Sequence, residues 1–171
     1  MPEHDDQDAA LCGRAARGDR AVFAALVAKH ERSLRGFLVR MGAAHSADDI
    51  AQEAFLKAWR FAHQYDGRAR FSTWLTRIAW RCYVDLARRP EPEPDAGAGE
   101  SGGGDPAASA VVGDMLSRLG AVERAALILC EGHGWSHREA AEMLGLPLGT
   151  LKSTISRAKA KCRAMWSEEH D

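Results

Sequence analysis

Residues 90–108 read PEPEPDAGAGESGGGDPAA, a run of Pro, Gly and acidic residues without one large apolar side chain. Such a stretch cannot bury enough surface to offset the entropy of ordering it, which predicts a flexible linker. The linker leaves two short segments, 1–89 and 109–171, each of which must close its own small core. As a coil it spans about 25 Å on average and at most about 65 Å when extended, enough to let the two domains act at separate sites. Both segments carry apolar residues at spacings of three and four, and neither shows strand-like alternation or an internal repeat. The predicted fold class is therefore all-α, as two small helical domains joined by a linker.

Net charge is −1 for the whole chain, but the charge is strongly segmented. Residues 9–89 carry a net of +8 and residues 116–166 a net of +4, whereas residues 1–8, 90–115 and 167–171 carry acids and neither Lys nor Arg. Two basic blocks flanked by acid suit a polyanionic partner, with the acidic segments limiting indiscriminate sticking.

The more informative block is SHREAAEMLGLPLGTLKSTISRAKAKCR, from Ser136 to Arg163. Ser136 and Glu139 form a capping box, Ala140, Ala141 and Leu144 give the following helix a small apolar face, and Gly145 ends it. Leu146 and Pro147 turn the chain into a second helix, with Leu151, Ile155 and Ala158 facing inward. The opposite face carries Thr150, Lys152, Ser153, Ser156, Arg157, Lys159 and Arg163, the donor set that a recognition helix presents to base edges and phosphates. A solvated basic helix is the plainer alternative. Val111, Val112, Met115, Leu116 and Leu119, then Val122, Ala125, Ala126 and Leu129, predict two further helices upstream.

In the first segment a short helix over 8–17 ends at Gly18, and Asp19 caps a longer one carrying Phe23, Leu26, Val27, His30, Leu34, Phe37, Leu38 and Met41. His30 reads as a core or edge histidine. Ser46, with Asp49 three residues on, opens a helix whose apolar positions are Ile50, Ala54, Phe55, Ala58 and Trp59 and whose polar face begins with Asp48, Asp49, Gln52 and Glu53. Ser72 is placed to cap a last helix ending before Pro90. There Trp74, Trp80 and Tyr83 interleave with Arg68, Arg70, Arg77, Arg81, Arg88 and Arg89, a mixture that either stacks on unpaired bases or splits into core aromatics and solvated arginines.

Other chemistry finds little footing. Cys130, His133 and His137 make a C-x2-H-x3-H pattern, three ligands where a structural zinc site needs four. It supports only the rival reading of a stand-alone, metal- or redox-responsive helix-turn-helix regulator. No phosphate-cradling loop, GxSxG or HExxH is present, so no enzyme activity and no cofactor are expected. The widely spaced Cys12, Cys82, Cys130 and Cys162 read as free thiols, and the acidic start without an apolar run reads as neither secretory signal nor membrane span. A cytoplasmic protein without membrane insertion is expected.

GDRAVF from Gly18, then DDIAQEAFLKAWR, FSTWLTRIAW and DLARR, resemble in order and spacing region 2 of the extracytoplasmic-function group of sigma-70 family factors of bacterial RNA polymerase. GWSHREAAEMLGLPLGTLKS resembles the helix-turn-helix of their region 4. The resemblance implies region 2 over 1–89, a linker over 90–108 and region 4 over 109–171. It further implies an initiation factor that binds core RNA polymerase, at the largest-subunit clamp and the flap, directs it to promoter DNA and helps melt it, commonly under control of an anti-sigma factor. The family's clamp-docking helix corresponds to Asp48–Arg60, which assigns polymerase binding to Asp48, Asp49, Gln52, Glu53 and Trp59. Its minus-10 loop corresponds to residues 62–72, which assigns non-template strand contacts to His63, Gln64, Tyr65, Arg68 and Arg70, with Arg77 and Arg81 on the next helix. Its minus-35 contacts fall on Thr150, Lys152, Ser153, Ser156, Arg157 and Lys159, with Arg157 suited to a bidentate guanine contact. Trp80 and Arg81 stand where many members carry Asn, so the family's usual minus-10 preference does not transfer.

Overall fold

The computed structural model describes residues 3–88 and 106–170, with side chains over 7–88 and 111–168. Eight α-helices make up two compact units among these residues, with no strand. The first unit holds α1 (Glu3–Ala15), α2 (Arg20–Arg40), α3 (Ala47–Arg60) and α4 (Phe71–Ala87). The second holds α5 (Pro106–Ser117), α6 (Ala121–Leu127), α7 (His137–Leu144) and α8 (Leu148–His170).

In the first unit, Asp19 caps α2 as expected, its carboxylate accepting the Val22 N–H at 3.2 Å. The buried side of α2 comprises Val22, Leu26, Leu34, Phe37 and Leu38, while Phe23, Val27 and His30 are half-buried at its margin. α3 and α4 pack together. The seam is rich in alanine: Ala51, Ala54 and Ala58 on α3 and Ala79 on α4 are buried, and small side chains let backbones approach closely. Ser46 opens α3 as expected, standing at its N-cap position, although its hydroxyl makes no capping bond. One capping expectation fails. Ser72 lies inside α4, whose N-cap residue is Arg70 in extended conformation, because Phe71 must begin the helix to reach the core, where it is 1% exposed.

In the second unit, α8 packs against α5, α6 and α7. Leu151, Ile155 and Ala158 are buried as expected, joined by Thr154. Met143 is buried on α7 where Leu144 had been expected, and Leu144 is half-buried. Val112 and Val122 are exposed rather than in the core. The polypeptide leaves α6 through a π-helical turn, Ile128–Gly132, that buries Ile128 and Leu129. Pro106 starts α5, so the last three residues assigned to the linker are helical; Pro tolerates this position because the first helical N–H has no intrahelical partner. The rest of 90–108 lies outside the described residues. Arg124 of α6 donates to the carbonyls of Leu116, Ser117 and Leu119, at and just beyond the end of α5.

α6 and α8 are also tied by Lys161, whose ammonium lies 2.8 Å from the Glu123 carboxylate. Lys161, with help from the Gly120 N–H, holds that carboxyl below its usual range against the opposing effect of desolvation. A depressed folded-state pKa stabilises above the unfolded value, near 4.5, and that contribution is lost as pH falls through the folded value. The urea midpoint of wild-type protein should therefore drop more between neutral pH and pH about 3 than that of Glu123→Gln, whose pH dependence should be shallower. Parallel pH profiles for the two proteins would count against the pairing.

Candidate nucleic-acid and protein interfaces

The helix-turn-helix is built by local chemistry that the sequence announces. The Ser136 hydroxyl accepts the Glu139 N–H at 3.2 Å while the Glu139 carboxylate accepts the Ser136 N–H at 2.9 Å, closing the capping box. At the other end Gly145 adopts φ 67°, which a side chain would strain, and the Leu146 N–H reaches back to the Ala141 carbonyl at 2.9 Å. This closure sets the entry to α8, where Thr150 is exposed on the first turn.

Burial of Leu151, Thr154, Ile155 and Ala158 leaves Lys152, Ser153 and Ser156 exposed along the middle of the opposite face. Arg157 and Lys159 occupy its two flanks. A guanidinium nitrogen of Arg157 lies 3.4 Å from the Thr154 hydroxyl, and Lys159 lies 2.8 Å from Glu131. A shallow groove of about 290 Å³ runs along this side, lined by Glu131, His137, Lys152, Ser156, Lys159 and Arg163 among others. Glu131 and His137 were not among the expected nucleic-acid contacts. His137 is legible as the first residue of a capped helix, but nothing local ties Glu131 to a lysine so far along the chain.

On α3, burial of Ala47, Ile50, Ala51, Ala54, Phe55 and Ala58 turns the acidic side outward. Asp48 meets Arg35 of α2 at 2.5 Å and Glu53 meets Lys57 at 3.4 Å, while Asp49 and Gln52 are exposed. Trp59 is half-buried, its ring edge-on to Phe23 with centroids 5.0 Å apart. Leu56 stands on this same face, at helical spacing from Asp49, Gln52 and Glu53, and is 49% exposed. Phe61, just past the helix, is 43% exposed. Both were missed, although Leu56 falls opposite Ile50, Ala54 and Ala58 on a helical wheel.

The segment 61–70 connects α3 to α4 through a 3-10 turn, Ala62–Gln64. His63, Gln64, Arg68 and Arg70 are exposed along it. The Arg68 N–H bonds the Asp66 carboxylate at 3.0 Å, across Gly67 at φ 72°. Tyr65 is half-buried: its hydroxyl donates to the Ala69 carbonyl at 2.7 Å and its ring packs with Phe71 and Trp74. On α4, Arg77 is half-buried and Arg81 exposed. Trp80 is in the core and takes the core reading, whereas Tyr83, stacked on it at 5.6 Å, and Trp74, beside the loop, are half-exposed.

No three His, Cys, Asp or Glu side chains among the described residues are grouped to hold a metal, and Cys130, His133 and His137 form no such set. Burial pushes all four thiols up, Cys12 to about 11, so none is a ready thiolate at neutral pH. No helix among the described residues is long and apolar enough to cross a membrane.

The Sigma-70 region 2 family matches residues 26–91, and the Sigma-70 region 4 family matches residues 109–162. RNA polymerase sigma-H factor of Pseudomonas aeruginosa is 35% identical over 90% of this chain and 91% of its own length. ECF RNA polymerase sigma factor SigM of Mycobacterium tuberculosis is 33% identical over 92% of this chain and 84% of its own. Among solved structures, CnrH in complex with the cytosolic domain of CnrY superposes with a TM-score of 0.73 at 30% identity, covering 94% of this chain and 97% of that one.

The Lys159–Glu131 pair is solvent-exposed and worth no more than about 1 kcal/mol, so were this groove to lie on DNA, Lys159 would turn to a phosphate and leave Glu131 as a negative charge. Glu131→Gln should tighten binding to mixed-sequence duplex DNA and steepen the slope of log K against log salt by about one. Fluorescence anisotropy across a salt series measures this; an unchanged slope removes Glu131 from the DNA-facing surface.

Proposed function

The chain belongs to the extracytoplasmic-function sigma factors of the sigma-70 family, and from this premise we propose that it docks on core RNA polymerase through α3 and carries the enzyme to promoters read by the 61–70 loop and α8. The observation that carries this reading is the opposite charge of two exposed helix faces on separate units. α8 offers Lys152, Ser153, Ser156 and Arg157 to duplex DNA, whereas α3 offers Asp49, Gln52 and Glu53 around an exposed Leu56. Carboxylates facing a phosphate backbone are repelled, but a protein with basic residues around an apolar pocket matches them. Asp48 and Trp59 form the rim of that docking face.

At the minus-35 element, Thr150, Lys152 and Lys159 contact phosphates while Ser153, Ser156 and Arg157 face base edges, with Arg157 on guanine. At the minus-10 element, His63, Gln64, Arg68 and Arg70 hold the non-template strand, Tyr65 and Trp74 provide a ring surface near a flipped base, and Arg77 and Arg81 neutralise the following phosphates. The protein performs no covalent step; strand separation is driven by preferential binding of the unstacked strand within the polymerase complex. Its place of work is the cytoplasm. CnrH is held in a complex with the cytosolic domain of CnrY, and by the same logic an anti-sigma partner covers the polymerase-binding surfaces of this chain. Runoff transcription with core polymerase, followed by sequencing of the selected promoters, tests the reading directly.

Two substitutions separate the surfaces. Arg157→Ala should lower transcription from a promoter with an intact minus-35 element by roughly 5- to 150-fold, the equivalent of about 1–3 kcal/mol for a guanine contact. Promoter footprints identical to wild type would exclude that contact. Asp49→Arg should weaken co-purification with core polymerase while leaving the thermal melt unchanged, since Asp49 is exposed. Core recovery at the wild-type level would remove the docking face from α3.

A further inference from the structure

α1 lies outside the residues that match the region 2 family, yet it packs against both the 3-10 turn of the 61–70 loop and α4. Its contacts are of two kinds. The first is a nearly buried carboxylate: Asp8, with its side chain 5% exposed, receives the Lys29 ammonium at 2.6 Å and the His30 Nε2 at 2.9 Å. A buried carboxylate is costly unless paired, and here two donors from α2 pin α1 in one register. The second kind is direct contact with the loop. Cys12 is fully buried and its thiol points at the Ala62 carbonyl at 3.8 Å; Gly67 has no side chain, and the Ala9 methyl lies where an added β-carbon there would just touch it, at 3.8 Å.

The same cluster also reaches the loop through aromatic rings. The His30 ring lies 5.2 Å from Phe71, and Phe71 lies 5.7 Å from both Tyr65 and Trp74. The loop is therefore held by α1 at Ala62, with Ala9 beside Gly67, and by an aromatic cluster that abuts the partner of Asp8. His63, Gln64, Arg68 and Arg70 project from this backbone into solvent. Recognition of one flipped base depends on holding such groups to within a fraction of an ångström.

We infer that α1 is a positioning strut for minus-10 recognition, with Asp8 fixing its register and Ala9 and Cys12 setting the height of the 61–70 loop. The inference rests on the assignment of that loop to the minus-10 strand. Asp8 and Ala9 contact neither the strand nor polymerase; they act through the loop backbone.

The test uses holoenzyme reconstituted from core polymerase and the full-length chain, titrated with fluorescent single strands bearing either the selected minus-10 sequence or a scrambled one. Asp8→Ala should leave core affinity within about twofold, as expected for sites apart. It should lower the ratio of selected to scrambled binding by about tenfold, the scale of one lost base contact. Asp8→Asn, which keeps the side-chain shape and one of the two acceptor oxygens, should recover part of that ratio. Ala9→Leu leaves the Asp8 cluster intact and presses on Gly67, so it decides the matter if Asp8→Ala melts out; it should lower the ratio without lowering core affinity. A wild-type preference that both Asp8→Ala and Ala9→Leu retain overturns the strut. A preference that falls only in step with core affinity also overturns it, as the mark of general destabilisation. A wild-type holoenzyme that prefers no strand overturns the loop assignment itself, and the strut with it.

Discussion

Burial of one face of a helix fixes its rotation about its own axis, and both proposed interfaces of this protein depend on that constraint. In α8, three apolar side chains and Thr154 are withdrawn from water against α5, α6 and α7, so the remaining donors have only one direction in which to point. In α3, an alanine-rich stripe does the same against α4, and the acids follow outward. The forces that aim the surfaces are thus the ordinary ones of a small core. The chemistry of recognition lies in what was placed opposite that core.

Charge is then adjusted pairwise on these faces. Asp48 and Glu53 each have a basic neighbour on the unit's own surface, and Lys159 has Glu131. Exposed pairs of this type add little to stability, but they lower the field that a face presents to an indifferent partner. The same economy holds for the chain as a whole, where basic blocks sit beside acidic segments and the sum is near neutral.

Much of this was legible in the sequence because the signals were local. Asp19, the Ser136–Glu139 box and Gly145 act within four residues of themselves, and the inward set Leu151, Ile155 and Ala158 follows from helical period alone. What escaped was non-local or competitive. Ser46 and Ser72 have the composition of caps, but the Ser46 hydroxyl makes no capping bond and the demand to bury Phe71 starts α4 ahead of Ser72. Trp80 and Tyr83 were ambiguous between stacking on bases and packing inside, and only the packing of α4 assigns Trp80 to the core. The pairing of Asp8 with Lys29 and His30 spans 21 and 22 residues and a helix break, and no sequence period encodes it. The site residues on α8 and α3 were approached through the resemblance as well as through pattern, whereas Leu56 was visible to the pattern and still passed over.

The four cysteines divide evenly between the units, Cys12 and Cys82 buried in one, Cys130 and Cys162 half-buried in the other. Burial makes Cys12 and Cys82 a native clock, because a thiol reagent modifies them only as fast as the first unit breathes open, whereas the half-buried Cys130 and Cys162 report the cover over the second unit's surface. Labelling kinetics, resolved by mass, thus separate opening of the first unit from shielding of the second within the intact chain. With polymerase, DNA or an inhibitory partner added, the same thiols tell which unit has been gripped, without any engineered probe.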